Sequence, residues 1–277
     1  MNKDILEIYS LNKSFVTGGK REDFCAEVNT NVIDDLCLSI PAKKISALIG
    51  GNGAGKTTLF NIIGGFLSCD SGKIIYSPGI GDTSKSLEGK KPYQITSMGI
   101  GRMFQDTHIF RQMTVLENML IADENRFGEL PFVSIIKAGK NRKIEEQRIE
   151  KAKNVFSELF GLSNPFWEKP DVPAGTLSFG QQRLLGLARL FMGNYRIVLL
   201  DEPTSGVNPK LIAEILEIVK RMVDEKGLSV FLIEHNMKVV MDVADFCNFM
   251  SHGRITAFGT PEDVLGNDSV RKEYLGI

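Results

Sequence analysis

No stretch of this chain approaches the ~20 consecutive apolar residues a helix needs to cross a bilayer. Its first residues, Met1-Asn2-Lys3-Asp4, are polar, so no signal peptide is expected. Cysteine is sparse: Cys25, Cys37, Cys69 and Cys247 form no CxxC pair and no metal-ligand spacing. That excludes a disulfide framework and points to isolated buried thiols in a reducing compartment. Charge of one sign is lacking too, since the formal net charge is -1, and there is no electrostatic basis for nucleic acid or anionic lipid as a main partner. No internal repeat and no low-complexity segment occurs. What remains is 277 residues, 43% hydrophobic and 24% charged, enough for one large domain or one domain with a substantial insert. The expectation is a soluble cytoplasmic protein that borrows any membrane role from a partner.

The chain does hold short, fully apolar runs of strand length: Ile45 to Ile49, Ile197 to Leu200, and Val230 to Ile233. Such runs alternating with helices predict an α/β fold with a parallel sheet covered on both faces. From Asn208 to Glu225, Leu211, Ile212, Ile215, Leu216, Val219 and Met222 form one helical face. Asn208 is its expected N-cap, Pro209 lies in the first turn and Gly227 beyond the end. Residues 106 to 177 contain no obvious long strand. They include the charged stretch Asn141 to Phe160, with Ile144, Ala152, Val155, Phe156 and Leu159 on its inward side. The division expected is one domain over 1–277, with an α/β core from 1–105 and 178–277 and a helical subdomain inserted at 106–177. Residues 16 to 32 are polar and contain glycine, and predict an extended hairpin loop.

Gly50-Gly51-Asn52-Gly53-Ala54-Gly55-Lys56-Thr57-Thr58 follows the first apolar run and precedes a helix-like segment. A strand turning through glycines into a helix points several backbone N–H groups, and the positive end of the helix dipole, at one small space that suits phosphate. Gly50, Gly53 and Gly55 permit the backbone angles. Lys56 supplies a point charge for the β- and γ-phosphates and Thr57 a hydroxyl for Mg²⁺, with Asn52 and Thr58 completing the loop. By average residue usage the bare pattern arises by chance in about one chain in a hundred of this length. Ile197 to Leu200, ending in Asp201-Glu202, has the matching Walker B form. Asp201 faces the metal, and Glu202 is placed to polarise the attacking water.

Leu177-Ser178-Phe179-Gly180-Gln181-Gln182 opens a helix with Leu184, Leu185, Leu187, Ala188 and Phe191 on its apolar side, and Ser178 and Gln181 have capping-box spacing. Read alone this is a well-capped helix. At this distance before Walker B it resembles the signature motif of ABC-type ATPases, usually Leu-Ser-Gly-Gly-Gln, with Phe179 in place of the first glycine. The resemblance implies a P-loop NTPase of RecA-like core with an antiparallel β subdomain and an inserted helical subdomain. It also implies that Ser178, Gly180 and Gln181 cap the γ-phosphate of an ATP held by a second subunit. Gln105, where the helical insert begins, matches the Q-loop residue that senses Mg²⁺ and the attacking water. His235, after an apolar strand, matches the switch histidine that contacts the γ-phosphate; His108 and His252 have no such context. The base-stacking aromatic belongs upstream of the phosphate loop, where Phe15 is the candidate, with Tyr9 and Phe24 as alternatives and core packing of Phe15 also open.

Gly99-Ile100-Gly101-Arg102-Met103-Phe104-Gln105, then Phe110 to Asn118, then Ser205-Gly206-Val207-Asn208-Pro209, look like the ATPases of branched-chain amino acid importers. That family commonly has asparagine where Asn208 stands and most ABC proteins have aspartate. The ending from Gly259 to Ile277 is similar as well. Implied partners are two membrane permease subunits and a second homologous ATPase (homo- or heterodimer), with a solute-binding protein acting indirectly. The implied location is peripheral, on the cytoplasmic face of the membrane. Residues Phe110 to Asn118 are the expected permease docking surface, though Phe110, Met113, Val115 and Leu116 also suit subdomain core. ATPases of urea or short-amide importers look very similar. A lipopolysaccharide-export ATPase usually keeps the aspartate that Asn208 replaces. Soluble ABC ATPases of translation or repair mostly carry two cassettes or a coiled-coil insert, absent here. A non-hydrolysing subunit would have lost Glu202 or His235.

Overall fold

Every residue of Ile45–Ile49, Ile197–Asp201 and Ser229–Ile233 is buried, as unbroken apolar strands demand. The structure, a computed structural model, describes residues 4–17, 28–79, 82–106, 108–123, 138–160 and 170–275. In chain order the strands are β1 (Asp4–Thr17), β2 (Val28–Pro41), β3 (Ile45–Ile49), β4 (Ser71–Tyr76), β5 (Lys85–Ser86), β6 (Ile100–Met103), β7 (Ile197–Asp201), β8 (Ser229–Ile233), β9 (Phe246–Ser251) and β10 (Arg254–Gly259). The helices are α1 (Lys56–Ile63), α2 (Pro92–Ser97), α3 (Val115–Ala122), α4 (Ala138–Phe160), α5 (Phe179–Met192), α6 (Pro209–Asp224), α7 (Met237–Val243), α8 (Pro261–Gly266) and α9 (Asp268–Leu275).

The chain divides into two compact units, one from residues 1–102, 196–202 and 219–277, the other from 103–195 and 203–218. The first holds an antiparallel sheet of order β2-β1-β4-β5. A larger sheet has order β10-β9-β3-β8-β7-β6, in which β9, β3, β8 and β7 run parallel. Its β9–β10 edge is antiparallel, so the sheet is mixed where the apolar runs alone predict a parallel one. Alternation along the strands sends Leu48, Ile197, Leu199 and Phe231 into one apolar cluster with Leu59, Phe60 and Ile63 of α1. Ala47, Ile49, Cys247 and Phe249 enter a second cluster with Val240 of α7 and Val264 of α8. Both faces of the sheet are therefore covered.

In the second unit α3, α4 and α5 pack on one another. Ala152, Val155, Phe156 and Leu159 are buried as their spacing predicts, while Ile144 is half-buried. Asp123, at the end of α3, is buried and receives Arg148 at 3.2 Å and Lys151 at 2.7 Å from α4. The expected boundary at 177/178 falls before α5, yet α5 packs on α3 and α4 of the helical unit, and the division comes at 195/196. At the other side it comes at 102/103 and not at 105/106.

Two further expectations change. Residues 16–17 and 28–32 are strand, not loop, because Val16 pairs with Asn29 and Ser14 with Asn31 in the β1–β2 ladder. Residues 18–27, Phe24 and Cys25 among them, lie outside the described residues. Of the other cysteines only Cys247 is buried, whereas Cys69 is half-buried and Cys37 exposed, because Cys37 falls on the outward alternation of β2. The helix from Pro209 forms as predicted, with the Asn208 side chain accepting the Leu211 N–H at 3.0 Å. Gly227 follows it with φ +65, the left-handed geometry that ends a helix.

Candidate functional site

The loop between β3 and α1 needs its glycines for two reasons. Gly53 and Gly55 have φ +79 and +106, angles that L side chains rarely adopt. At Gly50 a Cβ would meet the Met250 carbonyl oxygen at 2.1 Å, and at Gly55 the Val32 carbonyl oxygen at 2.7 Å. The backbone of β2 and β9 thus presses directly on the loop. Lys56 is buried at the start of α1, and its ammonium donates to the Gly50 and Gly51 carbonyls at 2.7 and 2.9 Å. Burial lowers its pKa, while the charges of Glu202 and Asp201 act to raise it. Asn52 and Thr57 are exposed, and Thr58 is half-buried.

Asp201 ends β7 and is 3% exposed. Burial raises its pKa, and the Arg102 guanidinium, 3.6 Å from Oδ2, opposes the rise. Arg102 also donates to the Phe60 carbonyl of α1 at 3.0 Å, which ties the helix after the phosphate loop to the strand that bears Asp201. Sequence reasoning missed this arginine. The signal was a charge inside the strand segment Ile100–Met103.

Glu202 has φ +48, a strained conformation for a residue with a side chain. Its N–H is held by the Ile233 carbonyl at 3.0 Å, which turns the side chain out of the strand line. There Oε1 lies 2.7 Å from Nε2 of His235, two residues beyond the end of the adjacent strand β8. Glu234 is buried and its Oε2 accepts the His235 N–H at 3.2 Å, a support that a search for single motif residues overlooks. Lys56, Asp201, Glu202 and His235 are thus gathered in the first unit.

Phe15 is 36% exposed on β1, with the Lys13 ammonium 5.4 Å from its ring. It pairs with Thr30, two residues from the Val32 that abuts the phosphate loop, or about 7 Å along the strand. Tyr9 lies farther down β1, beside the Ile8–Leu38 pair, and its hydroxyl donates to Glu7 at 2.9 Å.

The remaining predicted residues lie in the second unit. Ser178 Oγ accepts the Gln181 N–H at 3.3 Å, and Gln181 Oε1 accepts the Ser178 N–H at 2.8 Å, a complete capping box. A Cβ on Gly180 would lie 2.2 Å from the Leu211 methyl of α6, so a larger residue there must push that side chain aside. A cleft of about 550 Å³ runs along this helix start and is lined by Ser178, Gly180, Gln181, Gly206, Asn208 and Lys210 among others. Gln105 follows β6 with its side chain exposed. Of the Phe110–Asn118 segment, Phe110 and Met113 are exposed and Val115 is fully buried in the subdomain core, while Leu116 is half-buried. Asn118, also fully buried, exchanges hydrogen bonds with both the N–H and the carbonyl of Phe110 at 2.9 Å and so holds that segment in place.

Among the described residues no helix is long and apolar enough to cross a membrane, and no group of three or more His, Cys, Asp or Glu could hold a metal. Residues 33–205 match the family model described as ABC transporter. The chain is 33% identical over 276 residues to the high-affinity branched-chain amino acid transport ATP-binding protein BraF of Pseudomonas aeruginosa, covering 100% of this chain and 99% of that one. A probable branched-chain amino acid transport ATP-binding protein LivG of Archaeoglobus fulgidus is 37% identical over 86% of this chain and 87% of its own. The crystal structure of an ATP-binding cassette of an ABC transporter in its ADP conformation superposes with a TM-score of 0.76 at 30% identity, covering 99% of this chain and 100% of that one.

Proposed function

Because the chain belongs to the ABC transporter family and is an ATP-binding cassette, we propose that it powers an importer of branched-chain amino acids by hydrolysing ATP. The observation that carries the hydrolytic reading is the 2.7 Å contact between Glu202 and His235, in the unit that also holds Lys56 and Asp201. The solute is carried by the branched-chain transport relatives, which align over nearly their whole length.

The loop amides from Gly50 to Thr58 bind the phosphates, and Lys56 places its charge at the β- and γ-phosphates. Thr57 Oγ and the Asp201 carboxylate are hard oxygen donors. A pair of this kind suits Mg²⁺, which takes one or two protein oxygens and completes its shell with phosphate and water. When bound, Mg²⁺ would neutralise charge that develops on the phosphates. Glu202 accepts a proton from the attacking water, and His235, with its proton on Nε2, donates to Glu202 Oε1 and holds that carboxylate still. Gln105 senses metal and water, and Phe15 stacks on the base. Its place two residues from the strand segment that abuts the loop supports Phe15 over Tyr9.

Ser178, Gly180 and Gln181 cover the ATP of a second cassette. The cleft they share with Asn208 supports that role, and a complete site then needs two chains. Two permease subunits receive the motion through the exposed Phe110 and Met113, and a solute-binding protein feeds them. The cassette sits on the inner membrane face through these partners.

The test has two arms. Purified chain should hydrolyse ATP, Glu202→Gln should bind ATP and lose nearly all turnover, and undiminished hydrolysis by that variant sinks the assignment. A mild-detergent pull-down from the native cell should bring two polytopic permeases and a second ATPase. Recovery of export or soluble partners instead would leave the ATPase and remove the importer.

A further inference from the structure

Arg183 of α5, 1% exposed, is a charge on the buried side of the signature helix, one turn from the Leu187 that packs the same face. Its donors go to two separate loops. Nη1 donates to the Gln105 carbonyl at 2.7 Å and Nη2 to the Ser205 carbonyl at 3.2 Å. The half-exposed ring of Phe179, which replaces the usual signature glycine, lies 5.2 Å from the guanidinium carbon and covers it. Gly206, next to Ser205, has φ +73, and a Cβ there would stand 3.5 Å from the same ring. Three segments thus converge on one side chain: its own helix, which also supplies the Phe179 ring, the Gln105 loop and the Ser205–Asn208 turn.

We propose that Arg183 is a positioning residue that fixes the backbone of Gln105 and of Ser205 to the signature helix. Ser178, Gln105 and Asn208 then move as one body when nucleotide closes the assembly. A planar fork reaches two carbonyls at a fixed angle; a lysine ammonium supplies a point charge without that spread. Charge-assisted bonds to backbone are the strong kind, and groups held this way need not reorganise during reaction. This rests on the ATPase reading given above.

The experiment compares full-length wild type with R183K, R183Q, F179A and K56A. It measures affinity for a fluorescent ATP analogue, kcat and KM for hydrolysis, and the urea midpoint. R183K should keep analogue affinity within about twofold, since Lys56 and its loop are untouched, while kcat per folded molecule drops about tenfold or more at little-changed KM. R183Q should fall further, and F179A, which alters only a half-exposed ring, should fall less. A purely structural role lowers the midpoint and leaves kcat per folded molecule unchanged. Wild-type kcat in folded R183K overturns the proposal; should either arginine variant fail to fold, wild-type kcat in F179A overturns it. Turnover in wild type that K56A abolishes keeps the ATPase reading whatever Arg183 does, and turnover that survives K56A removes that reading instead.

Discussion

Asn118→Ala removes one fully buried amide and is expected to cost far more than its size suggests. The side chain accepts the Phe110 N–H at 2.9 Å and donates to the Phe110 and Thr114 carbonyls at 2.9 Å each, with a weaker approach to Met113 at 3.4 Å. Both strongly bonded carbonyls keep another donor, Phe110 O from Met113 N–H and Thr114 O from Asn118 N–H. Losing those two bonds should therefore cost about 0.5–1 kcal/mol each. The Phe110 N–H loses this partner, which adds about 1–3 kcal/mol if it stays buried. Because Phe110 is half-exposed, its amide can recover some water, and the total expected is about 2–4 kcal/mol. Urea unfolding followed by fluorescence gives the number, and hydrogen exchange at the Phe110 amide gives its location. Asn118→Asp sharpens the test. A carboxylate still accepts from Phe110 N–H but faces two carbonyl oxygens, so burial and repulsion raise its folded pKa above the unfolded value. Stability of that variant should then be best at low pH and be lost as pH rises through the raised pKa. An Asn118→Ala protein within about 0.5 kcal/mol of wild type, with unchanged exchange at Phe110, would refute the reasoning.

Three other outcomes are expected. Gly50→Ala must displace either the loop or the Met250 carbonyl, which lies 2.1 Å from the new methyl, so affinity for a fluorescent ATP analogue should fall by about tenfold or more; wild-type affinity contradicts this. Arg102→Met leaves the Asp201 carboxylate buried without the cation 3.6 Å away, at a cost of about 2–4 kcal/mol near neutral pH. Since burial already raises the Asp201 pKa and Arg102 opposes that, the variant's urea midpoint should drop as pH rises above the carboxylate range, and a flat profile counts against it. Cys247 is fully buried with its thiol pushed up to about 12, so site-resolved maleimide labelling should reach exposed Cys37 first and Cys247 only on unfolding; early labelling of Cys247 would be inconsistent with its place in the core.

The geometry of the proposed nucleotide site was legible where it is built from local backbone. Gly50 to Thr58 writes its loop, N-terminal helix dipole and lysine in nine consecutive residues, and Ser178 with Gln181 writes a cap in four. Buried strands are equally local, since Ile197 to Asp201 and Ser229 to Ile233 need only be apolar to be recognised. Three-dimensional placement decided the rest. No spacing rule brings Glu202 to His235, because that contact exists only once β7 and β8 lie side by side and Glu202 takes φ +48. The buried polar groups were illegible for the same reason: Arg102, Arg183, Glu234 and Asn118 read as ordinary polar residues until the fold supplies the carboxylate, carbonyls and backbone N–H groups that pay for their burial. Cys37 and the residues flanking the β1–β2 loop turned on strand register, which cross-strand pairing sets over distances a window of sequence does not span. Sequence alone therefore determined the glycine-rich turn from β3 into α1, where one short segment carries the whole conformation. The tertiary structure decided how the arginines around it are held, because Arg102 reaches Asp201 and the Phe60 carbonyl, and Arg183 the Gln105 and Ser205 carbonyls, all from distant parts of the chain.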